Sequence, residues 1–237
     1  MNILAIDTSA SPVSAAIVKD GFLAGEFFLN TKTTHSQTLM PVISALLDTT
    51  SFSLNDIDVF AVNAGPGSFT GVRIGVSSVK GLAYPLGKPC AAVSTLSSMA
   101  YNMPYQKGIV CAVMDARCAQ VYNALFRLDN GKAERLTEDR ALSIQELQQE
   151  LKEQYQGEAI YLVGDGADIC YNIFEGNIPR IILAPMNLRY QRAYGTAMAA
   201  MELILKNQLC TADELMPLYL RLPQAERELK ARLNQNK

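Results

Sequence analysis

A glycine-rich stretch, residues 64–75, has the residue types and spacing in this chain most suited to chemistry. It reads Ala-Gly-Pro-Gly-Ser-Phe-Thr-Gly-Val-Arg-Ile-Gly and follows an apolar run, residues 57–62, typical of a buried strand. Glycine lets the backbone approach a partner closely, and Ser68 or Thr70 is suited to cap a helix over residues 72–86. A strand, a glycine turn and a helix N-terminus can hold an anion, or can pack a helix tightly on a sheet. The glycines alone leave both interpretations open.

The standard phosphate and hydrolase motifs do not occur in the sequence. A Walker loop needs Lys followed by Ser or Thr, and the nearest match, residues 87–89, ends in Pro89. No Gly-x-Gly-x-x-Gly opens a helix, and no Gly-x-Ser-x-Gly indicates a nucleophile elbow. The chain has one histidine, His35, so catalysis by a Ser–His or Cys–His pair or by a histidine-bound metal is close to excluded. We expect His35 to lie at a helix start or an interface.

Composition indicates a cytoplasmic globular protein. The 237 residues are 49% hydrophobic, enough for one large core or two modest ones. No apolar run approaches the ~20 residues of a membrane span, and the N-terminus lacks the features of a signal peptide. The net charge is −2, and the one basic cluster lies in the C-terminal tail, residues 219–237. We therefore expect the protein alone to bind neither membranes nor nucleic acid.

Two aspartates at matching positions indicate an internal duplication. Asp7 and Asp115 each end an apolar strand, and each is followed by two further strands, a helix, a fourth strand and a glycine turn. Ser143 with Glu146 forms a capping box before the second of these helices. The predicted elements are strands 3–7, 13–18 and 22–29, helix 35–47 and strand 58–62, then strands 110–115, 121–128 and 133–137, helix 144–155 and strand 159–163.

The duplication predicts two α/β lobes with mixed sheets and a cleft between them. The first lobe is expected at residues 1–103, completed by a helix over residues 193–206 that packs back onto it. The smaller second lobe is expected at residues 108–190, with a hinge over residues 103–108.

This plan resembles the actin, sugar-kinase and Hsp70 superfamily, with its ribonuclease H-like fold, in which duplicated lobes close over a nucleotide. In that superfamily the first strand and turn of each lobe, ending in Asp, point at phosphates and metal. The alternative is that the two aspartates only cap turns at strand ends, and their matching positions favour the cleft. The resemblance implies a candidate nucleotide cleft that contains Asp7, Thr8, Ser9, Asp115, Arg117, Gly164 and Gly166.

Several segments make the resemblance closer. They are residues 4–9, 35–41, 64–75, 93–96, 114–117 with 121–122, and 219–221 with 225–226. Over nearly its whole length the chain resembles the TsaB (YeaZ) family, bacterial partner proteins in the synthesis of tRNA threonylcarbamoyladenosine (t6A). The resemblance implies a non-catalytic protein required with a catalytic paralogue, TsaD, and an ATPase, TsaE. Together they modify the adenosine next to the anticodon in tRNAs that read codons beginning with A. The resemblance implies that this chain contacts tRNA only as part of the complex.

The metal ligands of TsaD have no counterpart here. In that family a His-x-x-x-His pair holds the metal, and this spacing puts two imidazoles on one helix face. Aligning the families on residues 65–67 without gaps places Thr95 and Met99 at these positions, and neither side chain replaces an imidazole. The sequence therefore predicts no catalytic residue, metal or cofactor of its own, with ATP or ADP as a candidate ligand of the complex.

We therefore expect the chain to act by binding another protein through two of its helices. Helix 35–47 has an apolar stripe, and helix 69–86 is apolar on two sides with small residues spaced for close approach. The resemblance implies that these helices pack against the same pair in TsaD, and without TsaD they would pair with a second copy of the chain. Such stripes most often face a core, and this alternative stays open. The candidate interface residues are His35, Leu39, Val42, Ile43, Leu46, Phe69, Val72, Arg73, Val76, Val79 and Lys80.

Two other functions remain as alternatives. An independent ATPase or small-molecule kinase of the same superfamily would use Asp7 or Asp115 as its base, and ATP turnover by the isolated chain distinguishes it from a scaffold. A metalloprotease is the weakest alternative because the sequence lacks metal ligands.

Overall fold

Asp7 and Asp115 each end the central strand of a mixed sheet, and the two sheets have the same strand order. In the computed structural model, residues 1–31, 33–103, 106–129 and 131–221 are described. The first sheet has the order β3-β2-β1-β4-β5 and the second the order β8-β7-β6-β10-β11, with β9 paired to β7. The predicted duplicated two-lobe fold with mixed sheets is confirmed.

The first lobe is built on β1, which pairs antiparallel with β2 and parallel with β4. Its strands are β1 (Asn2–Asp7), β2 (Val13–Lys19), β3 (Phe22–Leu29), β4 (Val59–Gly65) and β5 (Cys90–Ser94), and its helices are α1 (His35–Thr50), α2 (Phe69–Ala83) and α3 (Thr95–Ala100). β4 is longer than the predicted strand because Asn63 continues the pairing with β5 while its buried amide donates to Ser98 Oγ at 2.9 Å. α2 ends before a 3₁₀ turn that contains Pro85.

The second lobe repeats this plan around β6. Its elements are β6 (Gly108–Asp115), β7 (Gln120–Asp129), β8 (Lys132–Arg135), β9 (Arg140–Ser143), α4 (Ile144–Gln154), β10 (Ile160–Val163), α5 (Ala167–Phe174), β11 (Ile181–Leu183) and α6 (Met186–Arg189). The predicted capping box is confirmed, since Ser143 Oγ accepts from the Glu146 amide and the Glu146 carboxylate accepts from the Ser143 amide. The sequence did not predict β9 and β11, because three or four residues are too short to show a period.

Helices cover both faces of the first sheet. α1 and α2 pack on one face, where Leu39 and Val76 are buried with Leu4 and Phe60. α7 (Ala193–Leu205) packs on the other face through small side chains such as Ala197. No helix in the described ranges has the length and apolar character needed to cross a membrane. The predicted hinge includes residues 104–105, and the predicted tail includes residues 222–237, all outside the described residues.

The glycine-rich stretch packs α2 directly on the turn that follows β1. Of the two predicted caps, Ser68 is the one that caps α2, since it accepts from the Gly71 amide and the helix begins at Phe69. Thr8 Oγ1 donates to the Gly71 carbonyl at 2.7 Å, and the Ser68 amide donates to the Ser9 carbonyl at 2.7 Å. A Cβ at Gly71 would lie against the Thr8 carbonyl oxygen. The glycines therefore serve close packing, the second of the two interpretations of the sequence.

We predict that Gly71→Ala destabilises the fold, whereas Gly81→Ala in the same helix does not. The added methyl at Gly71 must displace the end of β1, and overpacking of this kind costs about 1–3 kcal/mol. A Cβ at Gly81 would meet nothing within 4 Å. Because alanine has the higher helix propensity, Gly81→Ala should raise the free energy of unfolding by about 0.5–1 kcal/mol. Urea unfolding of both variants checks this. Equal stabilities would contradict the packing role of Gly71.

Candidate functional site

A cleft of about 800 Å³ lies between the two lobes. Its first-lobe wall is formed by the turn after β1, the chain before α1 and the N-terminus of α2, and its second-lobe wall by the end of β6. The C-terminal segment, residues 218–221, completes one side. The polar and charged lining residues include Ser9, Ser11, Thr31, Thr33, Thr34, His35, Ser36, Ser68, Thr70, Asp115, Arg117, Asp165 and Arg221.

Asp7 and Asp115 make the same turn, one in each lobe. Asp7 Oδ1 accepts from the Ser9 amide at 2.8 Å, and Asp115 Oδ1 accepts from the Arg117 amide at 2.7 Å. Asp7 is 2% exposed, and this burial raises the pKa of its carboxyl. Asp115 is exposed and lines the cleft. Both aspartates therefore cap turns, and only Asp115 also presents a charge to the cleft.

Three of the seven predicted cleft residues, Ser9, Asp115 and Arg117, border the cleft. Asp115 and Arg117 are exposed there, whereas Ser9 is buried, as are Asp7 and Thr8 behind it. For Asp7 and Thr8 the predicted place in the cleft is wrong, because both are buried, and Thr8 Oγ1 donates to the Gly71 carbonyl of α2.

Gly164 and Gly166 also lie away from the cleft surface, so their prediction is wrong as well. A Cβ at Gly164 would lie against the Val113 carbonyl oxygen, and one at Gly166 would lie 3.0 Å from the Asp115 amide nitrogen. Gly164 has φ +109°, which a side chain rarely adopts. These glycines let the start of α5 pack closely on β6.

Asp165, between the two glycines, lines the cleft and was not predicted from the sequence. The signal that marks it is its place in the turn that corresponds to residues 65–67 of the first lobe. Burial and the nearby Asp115 carboxylate raise the pKa of Asp165 to about 6, while the Gln191 amide donates to Asp165 Oδ1 at 3.2 Å. Two acidic groups thus share one wall of the cleft.

The C-terminal segment crosses from α2 to the second lobe. Tyr219 stacks on Phe69 with 5.0 Å between ring centroids, and Arg73 Nε donates to Tyr219 Oη at 2.7 Å. Arg221 Nη1 donates to the Ala116 carbonyl at 3.1 Å. Sequence reasoning did not find these contacts, because they join residues more than a hundred positions apart.

Most of the predicted interface residues lie in the core of the first lobe. Each of the seven has at most 5% of its surface exposed: Leu39, Val42, Ile43, Leu46, Val72, Val76 and Val79. Their prediction as surface contacts is wrong, because the apolar stripes of α1 and α2 face the sheet of their own lobe.

The other four predicted interface residues are partly accessible and hold contacts within the chain. His35 Nε2 lies 2.7 Å from the Ala10 carbonyl oxygen, and Lys80 Nζ donates to the Asp213 carbonyl at 3.1 Å. Phe69 and Arg73 contact Tyr219. The outward stripe of α2 consists of Thr70, Arg73, Ser77, Gly81 and, just past the helix, Tyr84.

The two positions aligned with the TsaD histidines lie in a closed apolar region. Thr95 and Met99 on α3 are fully buried, and Met99 packs with Val110 and Val163 of the second lobe. Within the described ranges, no group of three or more His, Cys, Asp or Glu side chains is arranged to hold a metal ion. Packing of the two lobes fills the region around α3.

The chain is similar in sequence to proteins of tRNA threonylcarbamoyladenosine synthesis. A family model described as TsaD, tRNA N6-adenosine threonylcarbamoyltransferase, matches residues 29–229. The tRNA threonylcarbamoyladenosine biosynthesis protein TsaB of Bacillus subtilis is 37% identical over 153 residues, covering 65% of this chain and 67% of the relative. The protein of the same name from Escherichia coli K12 is 32% identical over 223 residues, covering 93% and 95%.

Solved structures agree with the sequence relatives. YeaZ from Pseudomonas aeruginosa superposes with a TM-score of 0.76 at 27% identity, covering 92% of this chain and 99% of that one. Two further structures, at 12% and 11% identity with TM-scores of 0.52, share the fold alone, and that fold is the actin-like one. The chain therefore belongs to the TsaB (YeaZ) family of tRNA threonylcarbamoyladenosine biosynthesis proteins.

Proposed function

We propose that this protein acts in t6A synthesis as a non-catalytic partner of a TsaD-type enzyme, together with a TsaE-type ATPase. The proposal rests on the residues that occupy two buried positions of α3. The chain matches the TsaD family model over residues 29–229, yet Thr95 and Met99 stand buried where that family carries its histidine pair. A threonine hydroxyl and a thioether do not replace two imidazoles as ligands of a hard or borderline metal. Modification of tRNA would then depend on the partner's site.

The layer formed by α1 and α2 is the surface we assign to the partner. Both helices lie on one face of the first sheet, so they present their outward sides together. Ser77 and Gly81 on the outward stripe of α2 have small side chains, which let another helix approach closely. Met40 on α1 is 47% exposed and adds an apolar side chain to the outward side of the same layer. These features support docking of a second pair of helices.

We predict that Ser77→Arg abolishes binding of the TsaD-type partner and leaves the fold intact. Ser77 is exposed, so the change should alter the free energy of unfolding by only about 0.5 kcal/mol. In a close-packed interface the buried charge costs several kcal/mol, enough to lose a micromolar complex, whose whole binding free energy is about 8 kcal/mol. Calorimetric titration and thermal unfolding measure the two quantities.

Two matched variants make this test specific. Gln149→Arg adds the same charge at an exposed position of α4 in the other lobe and should bind normally. Val76→Glu, one residue from Ser77, should instead unfold the protein because Val76 is 3% exposed in the core. Normal partner binding by Ser77→Arg would place the interface elsewhere. If the wild-type chain alone sediments as a dimer and Ser77→Arg as a monomer, the same surface also pairs two copies.

Reconstitution tests the non-catalytic role itself. We expect no t6A from the chain alone, and t6A from a mixture with TsaD-type and TsaE-type proteins, ATP, unmodified tRNA and the threonylcarbamoyl adenylate from which the group is transferred. Omission of any one protein should lower the yield to background. The readout is liquid chromatography of nucleosides from the tRNA. Modification without the TsaD-type protein would contradict the proposal.

We also propose that a nucleotide binds in the cleft more tightly in the complex than in the isolated chain. This chain does not hydrolyse it. The acidic wall formed by Asp115 and Asp165 opposes phosphate groups by charge repulsion. The isolated chain should therefore bind ADP weakly and hydrolyse no ATP. Measurable ATP turnover by the isolated chain would favour an independent ATPase instead.

We predict that Asp165→Asn strengthens ADP binding only above the pKa of Asp165. With that pKa raised to about 6, the wild-type carboxyl is ionised at about pH 8 and protonated at about pH 5. Without divalent cations, the variant should bind ADP about three- to tenfold more tightly at the higher pH and equally at the lower pH. Glu153→Gln, exposed on α4, makes the same charge change and should have no effect. A pH-independent difference would contradict the assigned repulsion.

A further inference from the structure

Cys90 and Cys210 face each other as an isolated antiparallel pair. The Cys90 amide donates to the Cys210 carbonyl at 2.8 Å, and the Cys210 amide donates to the Cys90 carbonyl at 2.9 Å. Residues paired in this way have Cα atoms about 5.5 Å apart, within the roughly 4.4–6.8 Å that a disulfide spans. Cys210 Sγ lies 3.5 Å from the Cys90 carbonyl oxygen. The backbone pairing therefore brings the two cysteines within reach of a disulfide.

The two thiols differ in access. Cys90 is buried in the core at the start of β5, whereas Cys210 is partly exposed in the non-helical chain after α7. Lys80 reaches the same place from α2, and its ammonium donates to the carbonyls of Asp213 and Leu215. An oxidant can therefore meet Cys210 first, in a site that carries a positive charge.

We propose that Cys90 and Cys210 form a reversible disulfide by exchange with a low-molecular-weight disulfide. The Cys210 thiolate attacks one sulfur of the small disulfide, forms a mixed disulfide and releases one small thiol. The Cys90 thiolate then attacks Cys210 Sγ, forms the Cys90–Cys210 bond and releases the second small thiol. The small disulfide is reduced by two electrons, the two cysteines are oxidised by two, and their two protons pass to solvent and the leaving thiols.

The pairing geometry favours a bond that is easily reduced again. Cβ atoms of such a pair lie about 4.5–5.5 Å apart, whereas a disulfide needs about 3.5–4.5 Å. Closing the bond must therefore draw the strands together by roughly 1 Å, and strained disulfides are the labile ones. The chain after α7 pairs with β5 only at this bridge, so the shift does not have to disturb a longer ladder there.

Exchange should be slow near neutral pH. Burial, and then the neighbouring Cys210, raise the pKa of Cys90 to about 11, and Lys80 opposes this shift. Burial and then Glu214 raise the pKa of Cys210, again opposed by Lys80. Since only the thiolate attacks, the rate should increase up to about tenfold per pH unit above neutrality.

The bond would fix the start of the segment that runs along α2 to the cleft. Downstream of Cys210, Leu215 packs in the first-lobe core and Tyr219 stacks on Phe69. Closing a loop of about 120 residues restricts the unfolded chain strongly, so oxidation should raise Tm by about 5–15 °C after the strain is subtracted.

The test is incubation of the full chain with oxidised glutathione at about pH 7 and pH 9. Peptide mapping by mass spectrometry then identifies the disulfides, and thermal unfolding is measured before and after addition of dithiothreitol. Cys210→Ser is the test variant. Cys118→Ser is the matched control, since Cys118 is the exposed cysteine of the second lobe.

We expect a Cys90–Cys210 peptide in the wild type and in Cys118→Ser, formed faster at the higher pH, with a Tm increase that dithiothreitol reverses. Cys210→Ser should show neither the peptide nor the Tm increase. If glutathione is found only on Cys118, or if the chain shows no Cys90–Cys210 peptide at the higher pH, the proposal is wrong. A linked peptide without any change in Tm would overturn the claim that the bond constrains the fold.

Discussion

The contact between the glycine face of α2 and the turn after β1 is the constraint on which the rest of the first lobe depends. Gly67 and Gly71 bring the helix backbone against Ser9 and Thr8, at a distance that no side chain allows. This contact sets where α2 begins and which of its faces points outward. Asp7 lies buried behind the turn, so among the described residues of the first lobe the cleft is lined by hydroxyl groups such as those of Ser11 and Ser68 and by no carboxylate.

The second lobe uses the same device with a different result. Gly164 and Gly166 hold α5 against β6 as the first-lobe glycines hold α2 against β1. Here the aspartates stay accessible, since Asp115 and Asp165 both line the cleft. The duplicated halves thus agree in backbone and differ in the charge that they present to the space between them.

The sequence predicted the fold well because the fold depends on local signals. Residues close together in the sequence determine the strand ends at Asp7 and Asp115. The same is true of the capping box that begins at Ser143. The site was predicted poorly because it depends on orientation and distance. An apolar stripe does not tell which of two neighbours covers it, so Val76 and Val79 were placed at the surface instead of in the core. The contact of Tyr219 with Phe69 joins residues that no local pattern links.

The hydrogen bond from Arg221 to Ala116 has a mechanical consequence for the lobes. The chain passes covalently between the lobes twice, between α3 and β6 and between α6 and α7, and the Arg221–Ala116 hydrogen bond adds a third link. Two connections near each other leave a hinge axis about which lobes swing. The Arg221–Ala116 hydrogen bond lies at the cleft and opposes such a swing, because a wide opening must break it. Opening the cleft therefore costs this contact in addition to any packing of the lobes around α3 that is lost.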